Sequence, residues 1–154
     1  MDNSEKSPGY KFAEAEVNGI PVRIEVGERD LKENKITLAR RDTYEKIVVD
    51  ANSDITNTVK ELLDNIQNNL YNKAKERRDK LTFEAHNLSE VEKIINTQPG
   101  FIKGMWCGNS SCEEKMKEIK GIKSRCIVDG EHVDDSCVVC GSPAKEMVIW
   151  GIQY

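Results

Sequence analysis

Four of the five cysteines form two close pairs that are separated by a longer insert. The pairs are Cys107 with Cys112 and Cys137 with Cys140. This spacing is typical of a tetrahedral zinc site, because each pair presents two thiolates from a tight turn and the insert brings the two turns together. A site closed by four protein ligands leaves no position for a substrate. We therefore predict a structural zinc that stabilises the fold and takes no part in catalysis.

The residues around the cysteine pairs favour zinc over two alternatives. Gly108 and Gly141 each follow a cysteine of one pair and allow a sharp turn without a Cβ clash. Disulfides are less expected, because no secretory signal precedes the sequence and an oxidising compartment is unsupported. A redox dithiol at Cys137 and Cys140 would need a helix start in a βαβ unit, whereas Pro143 and a strand-like run follow this pair.

The fifth cysteine, Cys126, lies in a short apolar run. We expect it to be a small buried hydrophobe and not a ligand or a nucleophile. His132 could replace one thiolate, but nothing in the spacing requires it. The predicted ligand set therefore consists of the four paired cysteines.

The composition restricts the partners of the chain. Its 154 residues are 38% hydrophobic and 32% charged, which suits a soluble chain of one large or two small domains. No apolar run approaches the ~20 residues that cross a bilayer, so we predict no membrane partner. The formal net charge of −4 argues against binding DNA or RNA by general attraction to phosphate. Any RNA binding must therefore depend on local contacts.

The first part of the chain predicts one helix and three strands. Ser7 as N-cap and Pro8 as first residue predict a helix that ends at Asn18-Gly19. The side chains expected to face inward from this helix are Phe12, Ala13 and Val17.

Alternation of apolar and charged residues predicts the first strand at 22–26, with Arg23 and Glu25 on its solvent face. Two further strands are expected at 36–39 and 46–49. Together they predict a small sheet of three strands.

A long amphipathic helix is predicted from Ile55 to about Lys80, since apolar residues recur there at helical spacing. Ser53 or Asp54 is available as its N-cap. The basic residues near its end are more typical of a solvated helix face than of phosphate contacts.

The remaining residues predict an α+β lobe around the cysteines. A capping box at 89–92 predicts a short helix that Pro99-Gly100 ends. A second helix is expected from Cys112 to Lys120, with Ser111 as its cap. The predicted strands lie at 101–106, 124–128 and 146–150.

Several sequence motifs occur in an order that is more specific than any one of them. Three lie in the first part: Ser-Pro-Gly-Tyr-Lys-Phe at 7–12, Gly-Ile-Pro-Val-Arg-Ile-Glu-Val-Gly-Glu-Arg-Asp at 19–30 and Ala-Arg-Arg-Asp-Thr at 39–43. Three more follow: Trp-Cys-Gly at 106–108, Ser-Arg-Cys-Ile at 124–127 and the closing Val-Ile-Trp-Gly-Ile-Gln-Tyr. In this order they resemble prolyl-tRNA synthetase of the eukaryote- and archaeal-type branch, which carries a zinc-binding C-terminal domain ending in tyrosine.

This resemblance implies a function in translation. The family consists of homodimeric, cytoplasmic class II ligases that activate proline with ATP and Mg and transfer it to tRNA(Pro). The catalytic domain of the family precedes the matched region, and none of these residues resembles it. The chain is thus expected to be a fragment, inactive alone, that begins inside the anticodon-binding domain.

The resemblance also implies an α+β fold in three parts. Residues 1–52 would form the C-terminal portion of the α/β anticodon-binding domain, 53–87 a long connecting helix and 88–154 the zinc-binding C-terminal domain. In the family the carboxylate of the terminal tyrosine, here Tyr154, lies near the active site.

Five residues are implied by the resemblance as anticodon contacts: Glu16, Arg23, Arg29, Asp30 and Lys46. The second and third anticodon bases for proline are guanines, whose N1 and N2 donors suit carboxylates and whose O6 and N7 acceptors suit arginine or lysine. Without the resemblance, each residue would be interpreted as a member of an exposed ion pair worth ~0 to 1 kcal/mol.

Two alternative functions are kept beside this assignment. The first is a free-standing zinc-dependent protein-interaction module, supported mainly by the acidic net charge. The second is a thiol redox protein that uses Cys137 and Cys140. Anticodon-dependent tRNA binding would discriminate against the first, and zinc retention with unreactive thiols against the second.

Overall fold

The chain forms two compact units in a computed structural model that describes residues 2–119 and 121–153. The units divide after Ala74, inside the longest helix. The helices are α1 (Pro8–Val17), α2 (Glu28–Lys32), α3 (Ile55–Lys80), α4 (Leu88–Thr97) and α5 (Ser110–Lys117). The strands are β1 (Val22–Glu25), β2 (Lys35–Arg40), β3 (Lys46–Asp50), β4 (Thr82–Glu84), β5 (Phe101–Trp106), β6 (Ile122–Val128) and β7 (Glu146–Ile152). The predicted α+β class is confirmed.

Membrane insertion through a helix finds no support in the described residues. Within 2–119 and 121–153, no helix combines the length and the apolar character needed to cross a bilayer.

The first unit is built on an antiparallel sheet with the order β1-β2-β3. Its central strand places Leu38 opposite Ile24 on one side and Ile47 on the other. Leu38 packs against Leu62 and Ile66 of α3 in the buried core of this unit. Full burial of a leucine or isoleucine contributes ~1.5–3 kcal/mol relative to exposure, so this packing stabilises the first unit.

Helix α1 has the predicted ends but not the predicted inner face. Ser7 Oγ accepts from the Tyr10 amide at 3.4 Å, Pro8 is the first residue, and Gly19 follows the C-cap with φ of 74°. The prediction for Ala13 and Val17 is wrong, because both are exposed, whereas Phe12 is partly buried. Helix α1 packs through Phe12 against charged side chains of the sheet and supplies no residue to the apolar core.

Strand β1 reverses the predicted exposure of its two faces. Ile24 is 48% exposed and Val26 is exposed too, while the Arg23 and Glu25 side chains are only 19% and 16% exposed. The reason is position: β1 is an edge strand, and the buried side chains that pack with α3 belong to the neighbouring strand β2. The predicted charged solvent face is instead the face that α1 shields, as the Phe12–Arg23 contact shows.

Helix α3 confirms the predicted long amphipathic helix, with its last residue at Lys80. The cap is Asp54, whose Oδ1 accepts from the Asn57 amide at 3.0 Å. Ser53 turns back to the Asp50 carbonyl. Two short elements had no prediction: the five-residue helix α2 and the three-residue strand β4.

The second unit contains a sheet of the order β4-β5-β7-β6, in which β4 and β5 are parallel and the other pairs are antiparallel. Helices α4 and α5 share a buried core with this sheet. The buried core includes Val91 and Ile95 of α4, Met116 of α5, and Ile102 and Trp150 of the sheet.

Both helices of the second unit begin earlier than predicted, because an asparagine acts as the N-cap. Asn87 accepts from the Glu90 amide at 3.0 Å, and Glu90 accepts from the His86 amide, so the capping box starts at Asn87 and not at Ser89. Asn109, not Ser111, caps α5, which ends at Lys117. The predicted end at Lys120 lies outside the described residues, as does Tyr154.

Strand β6 carries an irregularity that explains the exposure of Cys126. Ser124 pairs with Trp150 and Cys126 with Ile149, which leaves Arg125 as an extra residue. Such a bulge changes which face the following side chains occupy. The prediction of a buried Cys126 is therefore wrong: the strand pattern alone places it beside buried Ile122, but the bulge turns it outward.

Candidate metal centre and nucleic-acid interface

The four paired cysteines lie together in the second unit and form the thiolate cluster (Cys107, Cys112, Cys137 and Cys140). Each offers an Sγ atom, and all four atoms lie within 4.8 Å of one another. The Sγ of Cys107 is 3.7 Å from that of Cys112 and 3.8 Å from that of Cys140. Four sulfurs bound tetrahedrally at ~2.3 Å from zinc would be ~3.8 Å apart, so the cluster has the right size for this ion.

Local backbone structure brings the two cysteine pairs together. Cys107 follows β5, and Cys112 lies in the first turn of α5. Gly108 and Gly141 have φ of 86° and 71°, as the predicted sharp turns require. The Val138 amide donates to the Met105 carbonyl at 2.9 Å, so the second turn is fixed directly to the strand that carries the first.

The protonation of the thiols depends on their surroundings. Burial raises the pKa of the Cys112 thiol to about 12, whereas hydrogen bonds from Ser142 lower the pKa of Cys140 to about 6. A bound divalent cation deprotonates coordinating thiols, which would remove this difference. All five cysteines are free, and 3.7 Å is far beyond the ~2.05 Å of a disulfide bond.

Two alternatives for the cluster receive no support from the geometry. Cys137 and Cys140 lie in a turn before β7, without the helix start that a Cys-x-x-Cys redox site uses. His132 is not part of the cluster, because its Nε2 atom contacts Asp135 Oδ1 at 2.8 Å.

In the first unit, Arg23 lies beneath α1 and makes contacts with three residues. Its Nε and Nη2 atoms donate to Glu25 Oε1 at 3.0 and 2.9 Å. Its Nη1 atom donates to Glu16 Oε1 at 3.3 Å and to the Phe12 carbonyl at 3.4 Å. The guanidinium also lies 4.2 Å from the centroid of the Phe12 ring, a cation–π contact.

Lys46 reaches the same acidic residue from β3. Its Nζ atom donates to Glu25 Oε2 at 2.7 Å and lies 5.4 Å from the Phe12 centroid. Strand register explains the meeting, because Arg23 and Lys46 are both opposite Ala39 of β2, whose small side chain leaves room between them. We call Phe12, Glu16, Arg23, Glu25 and Lys46 the Glu25 cluster.

The charge state of Glu25 follows from these contacts. Partial burial by itself would raise the pKa of Glu25, but hydrogen bonds from Lys46 and Arg23 prevail and lower it. Glu25 is therefore an ionised carboxylate that joins two cations. Neither Phe12 nor Glu25 was predicted to be a site residue. Two signals in the sequence point to them: the opposite charges of Arg23 and Glu25 on one strand face, and the spacing of Phe12 and Glu16 on one helix face.

Two of the five expected anticodon contacts lie apart from the Glu25 cluster. Arg29 and Asp30 belong to α2 and are exposed. In the part of the chain that the structure describes, no hydrogen bond or ion pair joins them to Glu16, Arg23 or Lys46. The structure thus brings three of the five residues together.

A second charged group, whose pairing was also not predicted from the sequence, supports the loop between β2 and β3. Arg40 donates to both carboxylate oxygens of Asp42, at 3.0 and 2.8 Å, and Asn69 of α3 donates to Asp42 at 2.5 Å. The Asp42 side chain is 2% exposed and that of Arg40 is 10% exposed. The Arg40 hydrogen bonds lower the pKa of Asp42 to about 2. Through Asn69, this buried pair attaches the β2–β3 hairpin, which contains Lys46, to the long helix α3.

Comparison with known proteins gives matches over both units. The family described as "Anticodon binding domain" matches residues 1–69, and the family described as "Prolyl-tRNA synthetase, C-terminal" matches residues 88–154. The proline–tRNA ligase of Clostridium novyi (strain NT) is 47% identical over 155 residues, which cover 100% of this chain and 32% of that protein. Proline–tRNA ligase 2 of Bacillus cereus (strain ZK / E33L) has the same identity and coverage.

A solved structure is similar over the same range. The crystal structure of prolyl-tRNA synthetase from Cryptosporidium parvum complexed with L-proline and AMP superimposes with a TM-score of 0.87 and is 29% identical. The match covers 100% of this chain and 33% of that one. The chain thus spans about a third of the length of the relatives it matches, and the matched regions do not include a catalytic domain.

Proposed function

Since the chain belongs to the prolyl-tRNA synthetase family across its anticodon-binding and C-terminal regions, we propose that it reads the anticodon of tRNA(Pro) for a proline–tRNA ligase. The observation that carries this proposal is the Glu25 cluster, which lies within the matched anticodon-binding region. It presents a carboxylate and cations side by side. That combination suits the donor and acceptor edges of guanine.

The activity of the whole enzyme forms part of the proposal. A catalytic domain outside the matched regions would use ATP and Mg to activate proline and would transfer it to tRNA(Pro). The whole enzyme would work as a homodimer in the cytoplasm, where translation takes place. The three-part division at residues 52 and 87 is proposed on the same basis, and so are anticodon contacts by Glu16, Arg23, Arg29, Asp30 and Lys46.

We assign zinc to the thiolate cluster as a structural ion. Cys107, Cys112, Cys137 and Cys140 would hold it, and the match between their Sγ spacing and tetrahedral zinc supports this assignment. The ion would stabilise the turns on which the second unit depends. Elemental analysis should find one zinc per chain, retained in the presence of thiol reagents.

The experiment that tests the proposed function is RNA binding at fixed salt. An anticodon stem-loop with the two proline guanines is compared with the same stem-loop in which both are replaced by adenine. We expect a clear loss of affinity on replacement, since a wrong base leaves buried polar groups unpaired. Equal affinity for both RNAs would contradict anticodon reading and favour a zinc-dependent protein-interaction module.

A further inference from the structure

Glu25 occupies the centre of its cluster and is the least exposed of its charged members. Its side chain is 16% exposed, against 41% for Glu16 and 52% for Lys46. Each of its two oxygens is used: Oε1 accepts from Arg23 and Oε2 accepts from Lys46. A ligand approaching from solvent would therefore meet Glu16 and Lys46 before it met Glu25.

The side of Arg23 that carries Nε and Nη2 is already occupied. Both atoms donate to Glu25, and Nη1 donates to Glu16 and to the Phe12 carbonyl. Reading guanine O6 and N7 by arginine uses two parallel donors of the guanidinium. Arg23 could offer two parallel donors only by giving up its contact with Glu25 or with Glu16.

Glu16 and Lys46 retain free hydrogen-bonding capacity. Glu16 uses Oε1 for Arg23, and its Oε2 atom makes no hydrogen bond within the described residues. The Lys46 ammonium has three donors, of which Glu25 takes one. A carboxylate can accept from guanine N1 and N2, and an ammonium can donate to O6 or N7.

We propose that Glu25 is a positioning residue that holds Arg23 and Lys46 in place. Within the cluster, the Glu16 carboxylate and the Lys46 ammonium then contact the guanine edges, and Arg23, one of the five contacts proposed above, supports them. This proposal rests on the proposed function and assigns different roles to the members of the cluster. Arg23 and Phe12 form the support between the two reading groups. Glu25 sets the direction of Lys46 without touching the RNA.

Modified guanines separate the two edges in an experiment. Inosine lacks the N2 amino group and tests contact with Glu16; 7-deazaguanosine lacks the N7 acceptor and tests contact with Lys46. Binding of the chain to the stem-loop is measured with guanosine, inosine or 7-deazaguanosine at the two anticodon positions, at fixed salt.

The decisive variant is Glu25→Gln. A carboxylate cannot donate to N7, so any effect of Glu25 on the response to 7-deazaguanosine must pass through a cation that it holds. We expect Glu25→Gln to reduce the preference for guanosine over 7-deazaguanosine about tenfold, the effect of losing one charge-assisted hydrogen bond. Lys46→Gln should reduce the same preference, whereas Glu16→Gln should instead reduce the preference over inosine.

The matched control is Glu33→Gln. Glu33 accepts from Lys35 at 2.7 Å, the same distance as in the Glu25–Lys46 pair, but both partners are well exposed and neither belongs to the cluster. The two variants change the net charge equally, so a general electrostatic effect on RNA affinity would be the same in both. Glu33→Gln should keep the full preference for guanosine.

The outcomes distinguish the proposal from the function on which it rests. If the wild-type chain binds the adenine-substituted stem-loop as tightly as the one with guanines, anticodon reading itself is contradicted. If wild type prefers guanosine and Glu25→Gln keeps that preference as Glu33→Gln does, the positioning role of Glu25 is overturned. Should Glu25→Gln fail to fold, Glu25→Asp, which keeps the charge on a shorter side chain, replaces it; an unchanged response to 7-deazaguanosine would then overturn the proposal.

Discussion

The thiolate cluster of the second unit and the Glu25 cluster of the first unit are assembled in opposite ways. The thiolate cluster joins two tight turns, and each turn supplies neighbouring residues of one short segment. The Glu25 cluster joins α1, β1 and β3, and its members meet only because the strands pair in one register. A site made of local turns is visible in sequence spacing, whereas a site made by strand register is not.

The two clusters also differ in whether they need a metal ion to balance their charges. The thiolate cluster contains no cation of its own, so its four thiols can ionise together only around a metal, and we infer that the second unit depends on one. The Glu25 cluster balances its own charges, with two carboxylates against two cations. The first unit should therefore fold in the absence of metal, and the following predictions test this contrast from the largest effect to the smallest.

Metal removal should have the largest effect and should be confined to the second unit. Binding of structural zinc to small domains is worth ~10–16 kcal/mol, as large as the whole stability of a typical domain. Both tryptophans, Trp106 and Trp150, lie in the second unit, so tryptophan fluorescence reports on it alone. A strong chelator or Cys112→Ser should abolish the cooperative fluorescence transition, while Cys126→Ser should preserve it.

Hydrogen exchange supplies the other half of that test. After chelation, amides of β2 and β3 should remain protected, since their hydrogen bonds and core lie in the first unit. Simultaneous loss of protection in both units would contradict the contrast. Persistence of the fluorescence transition after metal removal would contradict a structural metal.

Loss of the Arg40–Asp42 pair should be the next largest effect and should be confined to the first unit. Asp42→Asn removes the charge that pairs with Arg40 in a nearly buried position, so we expect destabilisation by about 2–3 kcal/mol. Faster exchange of β2 and β3 amides would measure it. The control is Asp64→Asn on α3, an exposed position, which should change exchange little.

Acidification should unfold the two units at different pH values. The pKa of Asp42 is lowered from 3.8 to about 2 in the folded chain, so its contribution is complete above pH ~4 and is lost as the pH falls toward 2. Protons compete with a metal for thiolates, so the second unit should lose its fold first during acidification. Fluorescence and β2 exchange, followed together from neutral to acidic pH, should show this order; in Asp42→Asn the acid dependence of the first unit should be weaker.

The smallest effect concerns the helix caps of the second unit. Asn87→Ala should cost about 1 kcal/mol, because it removes the acceptor for the Glu90 amide. Ser89→Ala should cost much less, since Ser89 lies inside α4 and not at its cap. Thermal unfolding of the metal-bound chain, followed by fluorescence, would measure both. Equal shifts of the two variants would contradict the assignment of the cap.

Strong local signals explain what could be predicted from the sequence. The helix from Ile55 to Lys80 could be predicted because apolar residues recur at helical spacing over its length. The end of α1 could be predicted from Asn18-Gly19. The cysteine cluster follows from spacing and from the two glycines that turn the chain. In each case the residues that decide the structure are close together in the chain.

Tertiary position explains what could not be predicted. Alternation in β1 indicates two faces but not which one is covered, so Ile24 and Glu25 have the reverse of the expected exposure. The choice of Asn87 over Ser89 depends on where the chain enters α4, since both can act as caps. Arg40 and Asp42 are close together in the chain, but the hydrogen bond that Asp42 accepts comes from Asn69 of α3, which is far away in the sequence.

The bulge at Arg125 makes it possible to detect by thiol labelling whether the chain holds a metal. It exposes Cys126, whereas the other four cysteines, all within the described residues, are gathered in the thiolate cluster. With a metal bound, an alkylating reagent should modify a single thiol rapidly, and a fluorophore attached there would leave the ligands intact. After chelation all five thiols become available. The number of labels per chain therefore counts the occupied sites without any measurement of the ion.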